Sequence, residues 1–245
     1  MWWARSRRQA QVCLSGTAAR WAGPDGAVMT FSCADLRQVL DGVQRLAREQ
    51  RIGTLSVWLA GTLVRVGLLT VPLGVRNMPE ANAAAKAALR AAKGAAPTEV
   101  VRLSGVDTPG RASLAAIVDE SVLLAFGPGA KLPYRISSIK PWWSGVAVLG
   151  ASRRGDVQRV EQARVVGFYD GQSLSIVESD ADATTHAATH EASSDDEAQR
   201  LVLRRCVARG VAPRACVRLL DTSSATVPKD AGFAFASDLA IGEAF

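Results

Sequence analysis

Side chains able to do chemistry are few in this sequence and widely spaced. His186 and His190 stand four residues apart with Glu191 beside them; on a helix that spacing would set two imidazoles on one face, as zinc sites do. The segment around them, ESDADATTHAATHEASSDDE, is rich in Ala, Ser, Thr and acids and brings no third ligand into reach. It reads as a solvated acidic linker over residues 179–193, expected to be poorly ordered, and no metal is assigned. Cys13, Cys33, Cys206 and Cys216 form no CxxC pair and read as buried free thiols. Asp170 stands in an Asp-Gly turn between two strand patterns, where turn chemistry accounts for it. Trp142 and Trp143 follow Pro141; adjacent tryptophans do not easily both enter one core, and large aromatics are common interface anchors. Trp2 and Trp3 beside Arg5, Arg7 and Arg8 combine rings and cations in a way that suits a membrane headgroup layer.

The chain must position these groups with ordinary globular material. Its 245 residues are 48% hydrophobic and 21% charged, with mean hydropathy +0.09, which excludes disorder over the whole length. At about 100 to 200 residues per domain it holds one large domain or two small ones. The longest apolar stretch, residues 57–75, contains Arg65, Gly61, Gly67 and Pro72, so no transmembrane helix is expected. The N-terminus lacks an apolar core followed by a cleavage site, and the expected location is cytoplasmic. The formal charge is +6 and the pI about 9.5, with Arg200, Arg204, Arg205, Arg209, Arg214 and Arg218 crowded together. Such a surface favours anionic partners. No zinc-finger spacing and no ribonucleoprotein-type strand is present, so no specific nucleic acid is assigned, though a basic nucleic-acid-binding module remains a competing reading.

Periodicity orders the elements. Short strand patterns at residues 11–14, 18–22 and 28–32 are separated by turn chemistry. Leu36, Val39, Leu40, Val43, Leu46 and Ala47 then recur at helical spacing, and residues 54–60 resume as a buried strand. Residues 67–140 read as a complete β-α-β-β-α-β unit, its first helix an Ala-rich run opened by Pro79. Another helix is expected after Pro141, then strands at 164–169 and 173–178, a helix over 195–209 with Ser194 and Glu197 as a capping box and Gly210 at its end, and a strand at 215–220. Hairpin, helix and strand thus occur twice. The expected organisation is a first lobe of residues 1–66 plus 141–160, an insertion at 67–140 and a reduced second lobe at 161–245.

This order resembles that of the actin-like fold, an α/β architecture of two RNase H-like lobes. The details look like the cytoplasmic platform proteins of type IV pilus and type II secretion machines, the PilM and GspL types. Leu55-Ser-Val-Trp-Leu-Ala-Gly with Leu68-Leu-Thr-Val-Pro-Leu-Gly resembles their first lobe leading into an inserted subdomain, and Tyr134-Arg-Ile-Ser-Ser-Ile-Lys-Pro-Trp the strand that returns from it. Phe168-Tyr-Asp-Gly-Gln-Ser-Leu-Ser-Ile-Val resembles the second phosphate hairpin, and Asp238-Leu-Ala-Ile-Gly the last helix.

The resemblance implies two Gly-containing hairpins whose amides would cradle the phosphates of Mg-ATP, with an aspartate in each. Here Gly16 and Thr17 follow Leu14 where an acid is expected; in the second hairpin Phe168 takes the acid position and Asp170 lies displaced into the turn before Gly171. The Gly-Gly pair of the adenosine pocket is missing from residues 219–224. What the resemblance leaves is a degenerate nucleotide site with no cofactor and a non-catalytic scaffold, peripheral to the inner membrane. Its implied partner is the cytoplasmic tail of a single-span pilus or secretion protein, seated near Pro141, Trp142 and Trp143; an assembly ATPase and anionic lipid are further contacts. The competing enzyme reading is an ATPase that uses displaced acids such as Asp170 and Asp221.

Overall fold

Two five-stranded sheets and one three-stranded sheet make up the computed structural model, which describes residues 8–16, 18–32, 34–93, 99–103, 110, 112–126, 130–145, 164–180, 183–211, 214–220 and 237–240. Strands β1 (Gln9–Ser15), β2 (Ala18–Ala22) and β3 (Val28–Ser32) form an antiparallel meander. Helix α1 (Leu36–Glu49) follows, and the Asp35 carboxylate accepts from the Gln38 amide at 2.9 Å, satisfying a donor that the helix start leaves free. Val39, Val43 and Ala47 recur every fourth residue and lie on the buried side, so the helical period of the sequence becomes the packed face. That helix is the crossover that lets β4 (Thr54–Leu59) run parallel to β1.

A 3-10 turn (Gly61–Leu63) then leads into β5 (Val64–Thr70), α2 (Met78–Lys93), β6 (Glu99–Leu103), β7 (Ala112–Asp119), α3 (Glu120–Ala125) and β8 (Arg135–Pro141). The order is the β-α-β-β-α-β read from the sequence, but the pairing divides it differently. β5, β7 and β6 form a sheet of their own, against which Ala81, Ala85 and Leu89 of α2 pack. Val122 of α3 belongs to the first lobe's core instead, and β8 pairs in parallel with β4. The separate unit therefore ends near Asp119. Ile136 and Ile139 of β8 bury apolar surface on the first lobe and cover the edge that β4 would otherwise leave unpaired. The first sheet has the order β3-β2-β1-β4-β8.

A 3-10 turn (Trp142–Gly145) follows β8, and most of the stretch where another helix is expected, residues 146–163, lies outside the described residues; then come β9 (Val165–Tyr169), β10 (Ser173–Asp180), β11 (Ala183–Glu191), α4 (Asp195–Arg209), β12 (Arg214–Leu220) and β13 (Ser237–Ala240). Their order, β11-β10-β9-β12-β13, repeats that of the first lobe, again with an antiparallel meander followed by parallel strands. Ser194 caps α4 by accepting from the Glu197 amide, the Glu197 carboxylate accepts from the Ser193 amide at 2.8 Å, and Gly210 closes the helix at φ +62°.

Two sequence expectations fail here. Within residues 179–193, expected as an acidic linker, Ser179 and Asp180 end β10 and Ala183–Glu191 is the strand β11, paired with β10 along its length. It lacks large apolar side chains, yet its other side lies against the insertion: Thr189 Oγ1 accepts from the Val66 amide at 2.8 Å and shares a 3.1 Å hydrogen bond with Ser175 Oγ. Strand formation here follows from neighbours on both sides, helped by β-branched threonines. Of residues 238–242, where the resemblance implies the last helix, 238–240 belong to strand β13 beside β12, because the parallel edge of β12 takes them as its next strand.

Candidate functional site

The repeated topology gives each lobe a hairpin in the same place. From the registers Leu14↔Ala19 and Tyr169↔Leu174, Leu14 and Tyr169 hold equivalent positions, as do Cys13 and Phe168, Ser15 and Asp170, and Gly16 and Gly171. Strand alternation then sorts the side chains. Leu14 and Tyr169 point into the cores of their own lobes, both fully buried, while Cys13 and Phe168 belong to the cluster between the lobes. Leu14 and Phe168, taken from the sequence as the two positions where acids are expected, are therefore not equivalent, because they fall on opposite phases of the pleat.

Cys13, Trp58, Ala60, Ala22 and Trp142 form this intervening cluster, with Val28, Trp143 and Phe168 partly buried against it. The Trp142 and Phe168 rings meet edge to face. Lys140 Nζ sits 6.0 Å from the centroid of the Trp58 ring. Burial pushes the Cys13 thiol up to about 12; the Arg20 charge partly offsets this and the Asp170 charge adds to it. A thiol held in that state is an apolar filler, not a nucleophile or metal ligand.

Asp170 is the polar centre of the junction. Its Oδ1 accepts from the amides of Gln172 (3.1 Å) and Ser173 (2.8 Å), the hydrogen bonds of an Asx turn. Its Oδ2 accepts from Ser173 Oγ at 3.0 Å and, across the lobes, from the Gly61 amide at 2.5 Å. Gly61 is at φ +59°, and a Cβ there would come within 2.8 Å of Gln172 Oε1 and 3.1 Å of Ser15 Cβ. The left-handed φ and the close Ser15 contact both favour glycine here. Gly61, Gln172 and Ser173 escaped the sequence reading, since Gly61 and Asp170 are 109 residues apart; the single local signal was a glycine directly after a buried strand.

The other candidates are dispersed. Pro141 ends β8 opposite Leu59. Trp142 lies in the cluster facing the second lobe, with 2% of its surface exposed, whereas Trp143 is half-buried between that cluster and the first lobe's core. Arg8 is exposed and its guanidinium reaches the Gln50 carbonyl at 3.5 Å. Thr17, Trp2, Trp3, Arg5, Arg7 and Asp221 lie outside the described residues. His186 and His190 stand on one face of a strand, not of a helix turn, opposite Glu178 and Leu174. At about 3.3 Å per strand residue their backbones are too far apart for one metal ion. Among the described residues no group of three His, Cys, Asp or Glu could hold a metal, and no helix is long and apolar enough to cross a membrane.

No protein-family model matches the sequence, and no curated protein matches it. Solved structures do match. A Bacteroides thetaiotaomicron protein of actin-like ATPase fold and unknown function is similar over 89% of this chain and 83% of its own, with 9% identity and TM-score 0.51. The PilM–PilN type IV pilus biogenesis complex matches over 86% and 80%, with 14% identity and TM-score 0.53. The cytoplasmic domain of EpsL, an inner-membrane component of the Vibrio cholerae type II secretion system, matches over 93% and 88%, with 12% identity and TM-score 0.52. The chain has the actin-like fold. At these identities it is the fold that is shared.

Proposed function

We propose that the protein is a non-catalytic actin-like scaffold at the cytoplasmic side of an inner-membrane pilus or secretion assembly, holding the cytoplasmic tail of a single-span membrane partner. The observation that carries this reading is the filling of the space between the hairpins. Cys13 and Phe168 occupy equivalent positions there, Phe168 lies against Trp142, and the hairpin acid, Asp170, is committed to protein donors. Magnesium needs oxygen ligands and several waters, and apolar side chains at these positions supply neither. Kinship of fold with PilM–PilN and with EpsL supports the pilus or secretion setting. Trp143, two residues after Pro141 and half-buried, is the tail's anchor; Trp142 belongs to the same cluster and supports it. An assembly ATPase and anionic headgroups are further contacts of the scaffold.

Calorimetry on the full chain tests this with two ligands: Mg-ATP, and synthetic peptides of cytoplasmic tails from single-span pilus and secretion proteins of the same genome. The expected result is no heat with Mg-ATP and saturable binding of one tail, lost in Trp143→Ala at a smaller cost in stability than the fully buried Trp142 would exact. Mg-ATP binding would also raise stability by about 2.7 kcal/mol at a hundredfold its Kd. Such a rise, or turnover above background, would replace the scaffold with the ATPase reading.

A further inference from the structure

We infer that Asp170 serves as an internal anionic ligand that holds the two lobes together, so that closure of the two hairpins on each other needs no nucleotide. The two carboxylate oxygens divide the work. Oδ1 is taken by the Gln172 and Ser173 amides within its own hairpin, whereas Oδ2 reaches out of the lobe to the Gly61 amide, with Ser173 Oγ as its second donor. Ser173 Oγ also approaches the Gly61 carbonyl at 3.4 Å, so both polar groups of Gly61 meet the second lobe's hairpin. The receiving turn is tied to the first hairpin in turn: the Ala60 amide donates to the Leu14 carbonyl at 2.7 Å, and Gly61 passes against Ser15. On the other side the Gln172 carbonyl accepts from the Ala192 amide at 3.2 Å, which ties the end of β11 to the same turn.

This is a cradle of N–H and O–H donors converging from two lobes on one anion, the chemistry by which proteins hold phosphate or carboxylate. Here the anion is covalently part of the chain. Its effective concentration is therefore independent of any solute, and the junction is permanently occupied. A hydrogen bond to a charged group in a buried setting is among the stronger polar contacts. The inference stands apart from the identity of any partner: a scaffold without this tether would still bind a tail, and the tether would persist if no tail binds.

Asp170→Asn separates the tether from the turn. Its amide oxygen can keep both hairpin bonds, but its NH2 group would face the Gly61 N–H donor to donor. Amide hydrogen exchange of the full chain should then show Gly61 exchanging faster by about tenfold or more, while the Gln172 and Ser173 amides keep their protection. Asp170→Ala should lose protection at all three, and formate, which with the alanine methyl reconstitutes the missing carboxylate, should restore protection at Gly61 where chloride at equal ionic strength does not. If Gly61 exchange is the same in Asp170→Asn as in the natural chain, or if formate does no more than chloride, the tether is refuted. If Mg-ATP added to the natural chain further protects Gly61, closure depends on nucleotide and the inference fails, whether or not the tail binds.

Discussion

Trp142 and Phe168 meet edge to face across the two lobes, ring centroids 6.1 Å apart and planes at 87°. Twenty-six positions apart, they lie on different lobes, and Trp142 has only 2% of its surface exposed while Phe168 is half-buried. Trp142→Ala should cost about 3 to 5 kcal/mol, as deletion of a buried large aromatic does, and Phe168→Ala less. A double-mutant cycle in urea should return a coupling of about 0.5 to 1.5 kcal/mol. Strict additivity would show that the rings are not energetically engaged.

Glu178 is a charged group with 1% exposure. Arg205 Nε donates to Oε1 at 2.5 Å, and Arg209 Nη1 lies 3.5 Å from Oε2. These contacts join β10 to α4 across the second lobe. Arg205 and Arg209 are partly exposed, so the charge that loses its compensation when the pair is broken is that of buried Glu178: Arg205→Ala should destabilise by about 3 to 5 kcal/mol. Urea denaturation monitored by circular dichroism measures it; a loss below about 1 kcal/mol, the usual value of an exposed pair, would show that water reaches this site.

Cys13 should be inert. With its thiol pushed up to about 12, chiefly by burial, the thiolate that reacts with alkylating agents is almost absent at neutral pH. Iodoacetamide followed by peptide mass mapping should find Cys13 unmodified in the folded protein and fully modified in urea. Equal labelling rates in the two conditions would contradict the packed cluster.

Stability should decline on acidification in two stages. His190 is held below its ordinary value of 6.5 by burial and by the charges of His186 and Arg205. Its neutral form is thus favoured by folding; the contribution is present above pH 6.5 and is lost as pH falls toward the lowered folded value. Glu197 is held below its ordinary 4.5, mainly by hydrogen bonds from Ser193, and its contribution is present above pH 4.5 and lost below it. Melting temperatures across pH 8 to 3 should show both steps, and His190→Gln should remove the upper one. An upper step that survives this substitution would assign it elsewhere.

What could be read from the chain was local. The amphipathic period of α1, the capping residue Ser194, the Gly210 stop and the turns between β1, β2 and β3 each depend on residues within one or two helical turns or hairpins of each other. Their repeated order was enough to expect two related lobes with an insertion, which both sheet orders display. That neither Leu14 nor Phe168 is an acid needs no coordinates, whereas the registers show that the two do not hold equivalent positions.

The tertiary structure decided what depends on distant neighbours. Ala183–Glu191 has the composition of a solvated segment, and becomes a strand because β10 satisfies its backbone on one side while β5 offers Val66 N–H on the other. β8 joins the first lobe because β4 has an open edge, a fact that no period within residues 67–140 encodes. The pleat put Leu14 in a core and Phe168 between lobes, and the fold alone brought Asp170 to Gly61, as the energy of that contact belongs to two segments meeting in space. The sequence by itself determined the elements built on local periods and caps, such as α1, α4 and the β1-β2-β3 turns, and the absence of acids at Leu14 and Phe168; strands β11 and β13, and which polar and aromatic groups meet across the lobes, were decided by packing, because hydrogen bonds and burial act through distance in space and not along the chain.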